Sequence, residues 1–486
     1  MMNPTIKKEL DDIQKELLKE GISRRDALKL LAASGFMLSS YDKAQAQTLN
    51  AAQLSAKIVI VGGGLAGIST AARLKSMASN LDIIIIEPNL KSVSYQPGNT
   101  FIGAGLYQKS DIMYNTLEFL PKGVTFINEK VIDFYPNNNQ VVTSQKEVIS
   151  YDFLVVCAGM TMDFSQIKGL EELDEVATLD ENSKINEFFK DTMISTVYNV
   201  NSAEQTWKNM QTIIEEAKQG KQQKAIFNHP DTAIKCGGAP KKMMYLMNSR
   251  LQEAKCQEKV EMTFYGYPSK MFAVEEYERA IIKQYKQRNM LWHVNHNLVE
   301  VNIKDKIATF DKISHVQGEY DEDLEEYEMV EHHEYIDVPY DFMHITPPMK
   351  VPKLIAKSEI ASSSGWIPVN QETLQHVKYP NIFSLGDIAA VALGKTGGSV
   401  RKQYKIVASN IISAINGEDL KAKYDGYTVC PIVTDIGKVM LAEFDWSMKP
   451  TPSFPLDPTQ ERYIWWLLKA YMLKPMTQYG MLSGKI

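Results

Sequence analysis

At 486 residues the chain has room for about three domains. Its 53 basic and 59 acidic side chains leave a formal net charge of −6, which gives no reason to expect a nucleic-acid partner. Beyond the N-terminal leader, no stretch reaches the roughly 20 apolar residues that span a bilayer.

The first predicted element is that leader. Ser23-Arg-Arg-Asp-Ala-Leu-Lys precedes an apolar run from Leu30 to Leu38, and Ala44-Gln-Ala46 offers a small-x-small cleavage site. This order is the pattern of a twin-arginine signal over residues 1–46; a plain amphipathic helix is the alternative. The route exports folded proteins. The expected location is therefore the periplasm, peripheral on the outer face of the cytoplasmic membrane, where a disulfide is permitted.

Residues 57–61, Lys-Ile-Val-Ile-Val, predict a strand buried on both faces of a parallel sheet. Gly62, Gly64 and Gly67 follow at the G-x-G-x-x-G spacing, which allows a tight turn, close approach to a pyrophosphate and close helix packing. The helix that starts there aims its first N–H groups at the phosphates. A second buried strand over 81–86 ends at Glu87, the acid expected to hold ribose hydroxyls. Further on, Tyr151-Asp-Phe-Leu-Val-Val-Cys-Ala-Gly159 resembles the strand ending in Ala-Thr-Gly of two-dinucleotide-domain flavoproteins.

The middle of the chain should carry a second glycine fingerprint if it bound a nicotinamide nucleotide. Residues 190–330 contain none. Where the strand-to-helix turn is expected, Ala225-Ile-Phe-Asn-His-Pro leads to Cys236-Gly-Gly-Ala-Pro240, which argues against an NADH dehydrogenase. Pro240 suits the first turn of a helix through Lys241-Lys-Met-Met-Tyr-Leu. A thiol at that helix start, flanked by Lys235, Lys241 and Lys242, is expected to have a depressed pKa and to be reactive; an inert packed cysteine is the alternative. Cys256 reads as a bystander on the surface. The acidic run from Glu319 to Glu334, with His332 and His333, reads as a solvated loop, and no metal site stands out.

The late segment from Thr373 to Gly386-Asp387 resembles the second fingerprint of the same flavoproteins, whose aspartate contacts the ribityl–phosphate region of the flavin. FAD is thus expected in a domain assembled from both ends of the chain. Lys395 resembles a basic residue at the flavin's pyrimidine edge, where positive charge favours the anionic reduced form; a surface lysine is the alternative. Cys430 sits in an apolar stretch before Pro431 and lies 430 − 236 = 194 residues after Cys236, so this is no C-x-x-C pair. Any bridge between them must be made by the fold, and for Cys430 too a packed cysteine is an open alternative. Cys157 packs near the flavin in a structural role. Trp465, Trp466 and Tyr471 among leucines, edged by basic residues, predict a C-terminal helix in the headgroup region, with a buried core helix as the alternative.

Several segments resemble sulfide:quinone oxidoreductases of the type II, mitochondrial-like group. They include Tyr95-Gln-Pro, Ala203-Glu-Gln-Thr-Trp-Lys, Ile234-Lys-Cys-Gly-Gly-Ala-Pro and His344-Ile-Thr-Pro-Pro-Met, with Tyr424-Asp-Gly-Tyr-Thr-Val-Cys-Pro and Leu441-Ala-Glu-Phe-Asp further along. The likeness runs over roughly residues 55–480. It implies two Rossmann-like domains plus the C-terminal membrane-docking helical segment. The expected divisions are the leader at 1–46, the FAD domain over 55–165 and 335–420, a second Rossmann-like domain over 166–334, and a cysteine and membrane segment over 421–486. It also implies that Cys236 and Cys430 are a redox pair: hydrosulfide opens their bridge, a persulfide is left, and electrons leave through FAD to quinone on the flavin's other face. Relatives that couple to cytochrome c tether FAD through a cysteine near Tyr95. Ser94-Tyr-Gln-Pro-Gly has none, so FAD is expected without a covalent link. His344 is typical of the family, for positioning or for proton transfer. The expected partners are hydrogen sulfide, a membrane quinone, a sulfur acceptor of unassigned chemistry, the membrane surface and, in a homo-oligomer, further copies of the chain. Two rivals remain: a flavoprotein subunit reducing a cytochrome c, and a flavin protein that carries or senses sulfane sulfur without turnover.

Overall fold

The computed structural model describes residues 54–93, 96–179, 184–321 and 326–486. The leader and Ser94-Tyr95 lie outside the described residues. Two compact units emerge. Unit 1 holds residues up to 98, 110–160 and 351–486, and unit 2 holds 99–109 and 161–350.

Along the chain, unit 1 opens with β1 (Lys57–Val61), α1 (Leu65–Met77), β2 (Asp82–Ile86), β3 (Val124–Ile127) and β4 (Phe153–Val156). Unit 2 follows with β5 (Ile194–Ser195), α2 (Val200–Lys218), β6 (Gln223–His229), α3 (Ala239–Glu253), β7 (Val260–Gly266), α4 (Glu275–Gln287) and β8 (Leu291–Val294). It continues through β9 (His296–Asn302), β10 (Ile307–Asp321), β11 (Glu326–Pro339) and β12 (Phe342–His344). The return to unit 1 brings β13 (Ile382–Ser384), α5 (Gly397–Ile415), β14 (Thr428–Asp435), β15 (Lys438–Phe444) and α6 (Tyr463–Leu467).

In unit 1 the five strands run in the order β13-β4-β1-β2-β3, all parallel. Parallel strands covered on both faces need apolar side chains on both. Ile58, Val59 and Ile60 accordingly have no exposure at all. The late strand β13 pairs with β4, Phe383 opposite Val155, so both ends of the chain build this sheet. Unit 2 repeats the plan with the parallel order β5-β12-β6-β7-β8. Its helix α3 starts directly after the cysteine turn, with Pro240 in the first turn. These are two Rossmann-like layers, as expected, and each unit is assembled from separate stretches of the chain.

Two elements differ from expectation. The described parts of the acidic run, residues 319–321 and 326–334, are not loop: they lie on the arms of an antiparallel hairpin, β10 with β11, extending the β9 edge. Its charges alternate with apolar residues, and a charge pair forms across the arms, Lys312 to Glu334 at 2.7 Å. Cross-strand pairing of that kind supports an exposed ribbon that a charge count alone reads as solvated chain. Among the described residues no cluster of metal-binding groups forms. The C-terminal segment is helical, but its tryptophans face inward: Trp465 and Trp466 are 4% and 8% exposed. Only Tyr471, Met472 and Tyr479 among its large apolar residues stand out, at 66%, 44% and 70% exposure. No helix among the described residues is long and apolar enough to cross a membrane.

Candidate functional site

The glycine turn of unit 1 is built for a ligand. Gly62 has φ +114°, and a side chain there would meet Cys157 O at 2.6 Å. A Cβ on Gly67 would fall 1.9 Å from Gly62 O, so α1 approaches the turn as closely as backbone allows. At Gly64, by contrast, nothing lies within 4 Å. Gly64 also caps α1 without any side-chain hydrogen bond, so no side chain of the cap takes up the helix's first amides. This is the donor set a pyrophosphate requires. Glu87, at the end of β2, accepts from Gly63 N at 2.8 Å and from Asn89 N at 2.9 Å. Burial holds its carboxyl above the usual range.

The return segment closes the same cradle. Gly386 has φ +75°, and a Cβ there would sit 3.6 Å from Ala66 Cβ of α1. Its N–H donates to Gln403 Oε1 at 2.9 Å, which fixes the turn carrying Asp387. Lys395 donates to Asp387 O at 2.7 Å and Ala389 O at 3.1 Å, and its ammonium lies 3.9 Å from the centre of the Trp366 ring. Burial pushes this lysine down to about 8, against the attraction of Asp387. Lys395 is therefore no surface lysine: it clamps the Asp387 turn. Gly159, with φ +72°, also has open space where a side chain would go. Gly62, Gly64, Gly67, Glu87, Gly159, Gly386, Asp387 and Lys395 all belong to unit 1, and together they fit FAD. Cys157 lies behind the turn, its thiol 3.6 Å from Gly62 O. Burial pushes that thiol up, with Glu87 adding to the effect, so it packs as a small apolar group.

The cysteine turn of unit 2 is strained. Cys236 has φ +53°, a left-handed conformation that a side chain other than glycine adopts at a cost. Lys242 Nζ lies 3.2 Å from its Sγ, close enough to stabilise negative charge on the sulfur. The neighbouring lysines serve other groups: Lys235 bonds Thr178 Oγ1, and Lys241 sits 4.4 Å above the Phe264 ring. The Cys236 carbonyl accepts from Tyr198 Oη at 3.2 Å and from Ala239 N at 2.8 Å. His344 is wholly buried, and its Nε2 accepts from Val197 N at 3.2 Å. Burial pushes its imidazole down to about 3. It thus stays neutral and holds the segment that carries Tyr198, a positioning role.

Cys430 lies on β14 in unit 1, buried, opposite Ala442 of β15. Thr428 binds Ser399 at 2.9 Å, and a Cβ on Gly398 would strike Val429 at 2.1 Å. The strand of Cys430 is therefore sealed to the start of α5, beside Lys395 in sequence. Glu443 reinforces this by accepting from Tyr427 Oη at 2.5 Å and Ser453 N at 2.9 Å. From the tail, buried Lys469 donates to Pro431 O at 2.7 Å. Sequence reasoning missed Tyr198, Gln403 and Lys469, because each acts through a fold contact that no local pattern announces. It also misplaced Cys256, which is 3% exposed and packs under α3 rather than on the surface.

A family model described as pyridine nucleotide-disulphide oxidoreductase matches residues 41–200. A Dictyostelium discoideum protein named sulfide:quinone oxidoreductase, mitochondrial, is 34% identical over 468 residues, covering 94% of each chain. A Mus musculus protein of the same name is 33% identical over 428 residues, covering 88% of this chain and 86% of the relative. The X-ray structure of the sulfide:quinone oxidoreductase from the bacterium Aquifex aeolicus matches with a TM-score of 0.69 at 21% identity, covering 87% of this chain and 92% of that one. That last likeness speaks for the fold alone.

Proposed function

Since this chain belongs to the sulfide:quinone oxidoreductase family, we propose that it oxidises hydrogen sulfide to sulfane sulfur and passes the electrons through FAD to a membrane quinone. The observation that carries this reading is the strained Cys236 beside Lys242, standing where a second nucleotide fingerprint would be. Cys236 and Cys430 act as a pair. Hydrosulfide attacks one sulfur of their bridge; a new S–S bond forms a persulfide, the old one breaks, and the other cysteine leaves as thiolate. Lys242 favours that chemistry by stabilising anionic sulfur. Bound FAD, held without a covalent link, supplies the two-electron carrier between thiols and quinone.

The division expected at 55–165, 166–334, 335–420 and 421–486 is proposed as the functional one, with sulfur chemistry shared between the second domain and the last segment. The leader supports export by the twin-arginine route, whereas the two relatives above are named mitochondrial. The tail supports docking to the membrane surface. The test of the central reading is anaerobic mixing with sulfide while the flavin spectrum is followed. Cys236→Ser and Cys430→Ser should each keep FAD and lose bleaching by sulfide, while Cys256→Ser bleaches normally. Full turnover in either of the first two variants would sink the paired-cysteine mechanism, and faster reduction of cytochrome c than of a quinone analogue would sink the acceptor.

A further inference from the structure

Lys242 holds the sulfur of Cys236 and Tyr198 its carbonyl, yet a third group faces the turn from the side of Gly237. A side chain built on Gly237 would meet one neighbour within 4 Å, Nε2 of His229, at 3.6 Å. His229 is the last residue of β6, and its Nδ1 lies 3.0 Å from Pro230 O. A carbonyl only accepts, so this contact places the proton on Nδ1 and leaves Nε2 as an acceptor. Burial, with the Lys241 ammonium adding to it, pushes the imidazole down to about 3. It remains neutral and accepting under working conditions.

Hydrosulfide is a ligand with two requirements, a negative sulfur and a single S–H. An ammonium answers the first and a neutral ring nitrogen the second. The cysteine turn has one of each: Lys242, 3.2 Å from Cys236 Sγ, and His229 beside Gly237.

We propose that His229 is a substrate-binding residue that accepts the S–H of hydrosulfide at the Cys236 turn, and so selects sulfide over thiolates that carry no hydrogen on sulfur. This rests on the sulfide reading above. The strand end Asn228-His229-Pro230 is legible in the sequence, but nothing local connects it to a cysteine seven residues on; the turn does.

The test uses holoenzyme carrying His229→Ala or His229→Gln, with flavin bleaching followed anaerobically against sulfide and against methanethiolate. His229→Ala should raise the sulfide concentration needed for half-maximal rate by about three- to tenfold, the worth of one modest hydrogen bond, with the limiting rate nearly unchanged. His229→Gln, whose amide oxygen accepts, should recover most of that. Methanethiolate has no S–H and should react at the wild-type rate in all forms. A purely structural role would instead slow both nucleophiles together. Should the alanine variant fail to load FAD, His229→Asn, whose shorter amide does not reach, takes its place. Unchanged sulfide dependence, or parallel loss for both nucleophiles, overturns the proposal. Wild-type protein that sulfide fails to bleach overturns the parent reading and this one with it, whereas normal wild-type bleaching with an unaffected alanine variant overturns this one alone.

Discussion

Gly64 and Gly67 belong to one motif but are glycine for different reasons. A methyl on Gly67 would lie 1.9 Å from a backbone oxygen, while one on Gly64 would meet no protein atom within 4 Å. Gly67 is thus a requirement of the fold, whereas the open space at Gly64 is proposed to be the ligand's. Gly67→Ala should lower the melting temperature markedly even without cofactor. Gly64→Val should leave the apo melting temperature near wild type and yet purify colourless, a contrast read by thermal melting and flavin absorbance. Yellow Gly64→Val protein would refute the cradle. His344 gives a second residue-scale expectation. In the unfolded chain its imidazole takes a proton near pH 6.5, but in the fold only near 3. Between those values the unfolded state binds more protons, so stability falls as the pH drops through the window, by up to about 1.4 kcal/mol per pH unit. His344→Gln should flatten the fall in melting temperature between neutral pH and mildly acidic buffer; an unchanged slope would show that the buried ring is not its source.

At the scale of elements, what the sequence made legible is what local pattern dictates. The runs 58–61 and 83–86 are unbroken apolar stretches bounded by glycine or an acid, and they became the central parallel strands. Pro240 after two glycines marked the start of α3 to within a residue. The hairpin of β10 and β11 was hidden because its charges read as solvation; the signal was the alternation that places Val316 opposite Val330. In the tail it was the two tryptophans, not the segment, that were misread, for the opposite reason. Its tryptophans look like an interfacial belt, but Trp465 packs on Phe454 at 4.9 Å, and Lys469 turns inward to Pro431. Which apolar face meets protein and which meets solvent is a tertiary decision, and a run of this length suits either. The site divides along the same line. Its glycines and acids were legible, since phosphate binding imposes a spacing, whereas Tyr198 and Gln403 reach their places through contacts between separate segments, and His229 through the fold of the turn itself.

For the whole molecule, the open question is how the flavin's electrons reach a lipid-soluble acceptor. Removing the tail is a poor probe, because residues 461–486 include the buried Trp465, Lys469, Met481 and Leu482, which pack within unit 1. The exposed residues offer a cleaner cut. Tyr471, Met472 and Tyr479 stand out from the tail, and with exposed Pro475 the positions 471, 475 and 479 recur every four residues, on one side of the winding. Transferring three such side chains into the headgroup boundary is worth on the order of 3 kcal/mol, about a hundredfold in membrane affinity. Because apolar contact is not screened, binding should survive high salt. The combined Tyr471→Ser, Met472→Ser and Tyr479→Ser variant should therefore leave membranes in fractionation, keep the wild-type melting temperature, bleach normally with sulfide in one turnover, and reduce membrane quinone poorly. If the leader directs export, protease added outside spheroplasts should also digest the membrane-bound wild type while cytoplasmic proteins survive. A triple variant that stays on membranes would refute docking through this stripe, and a protected wild type would place the enzyme on the inner side.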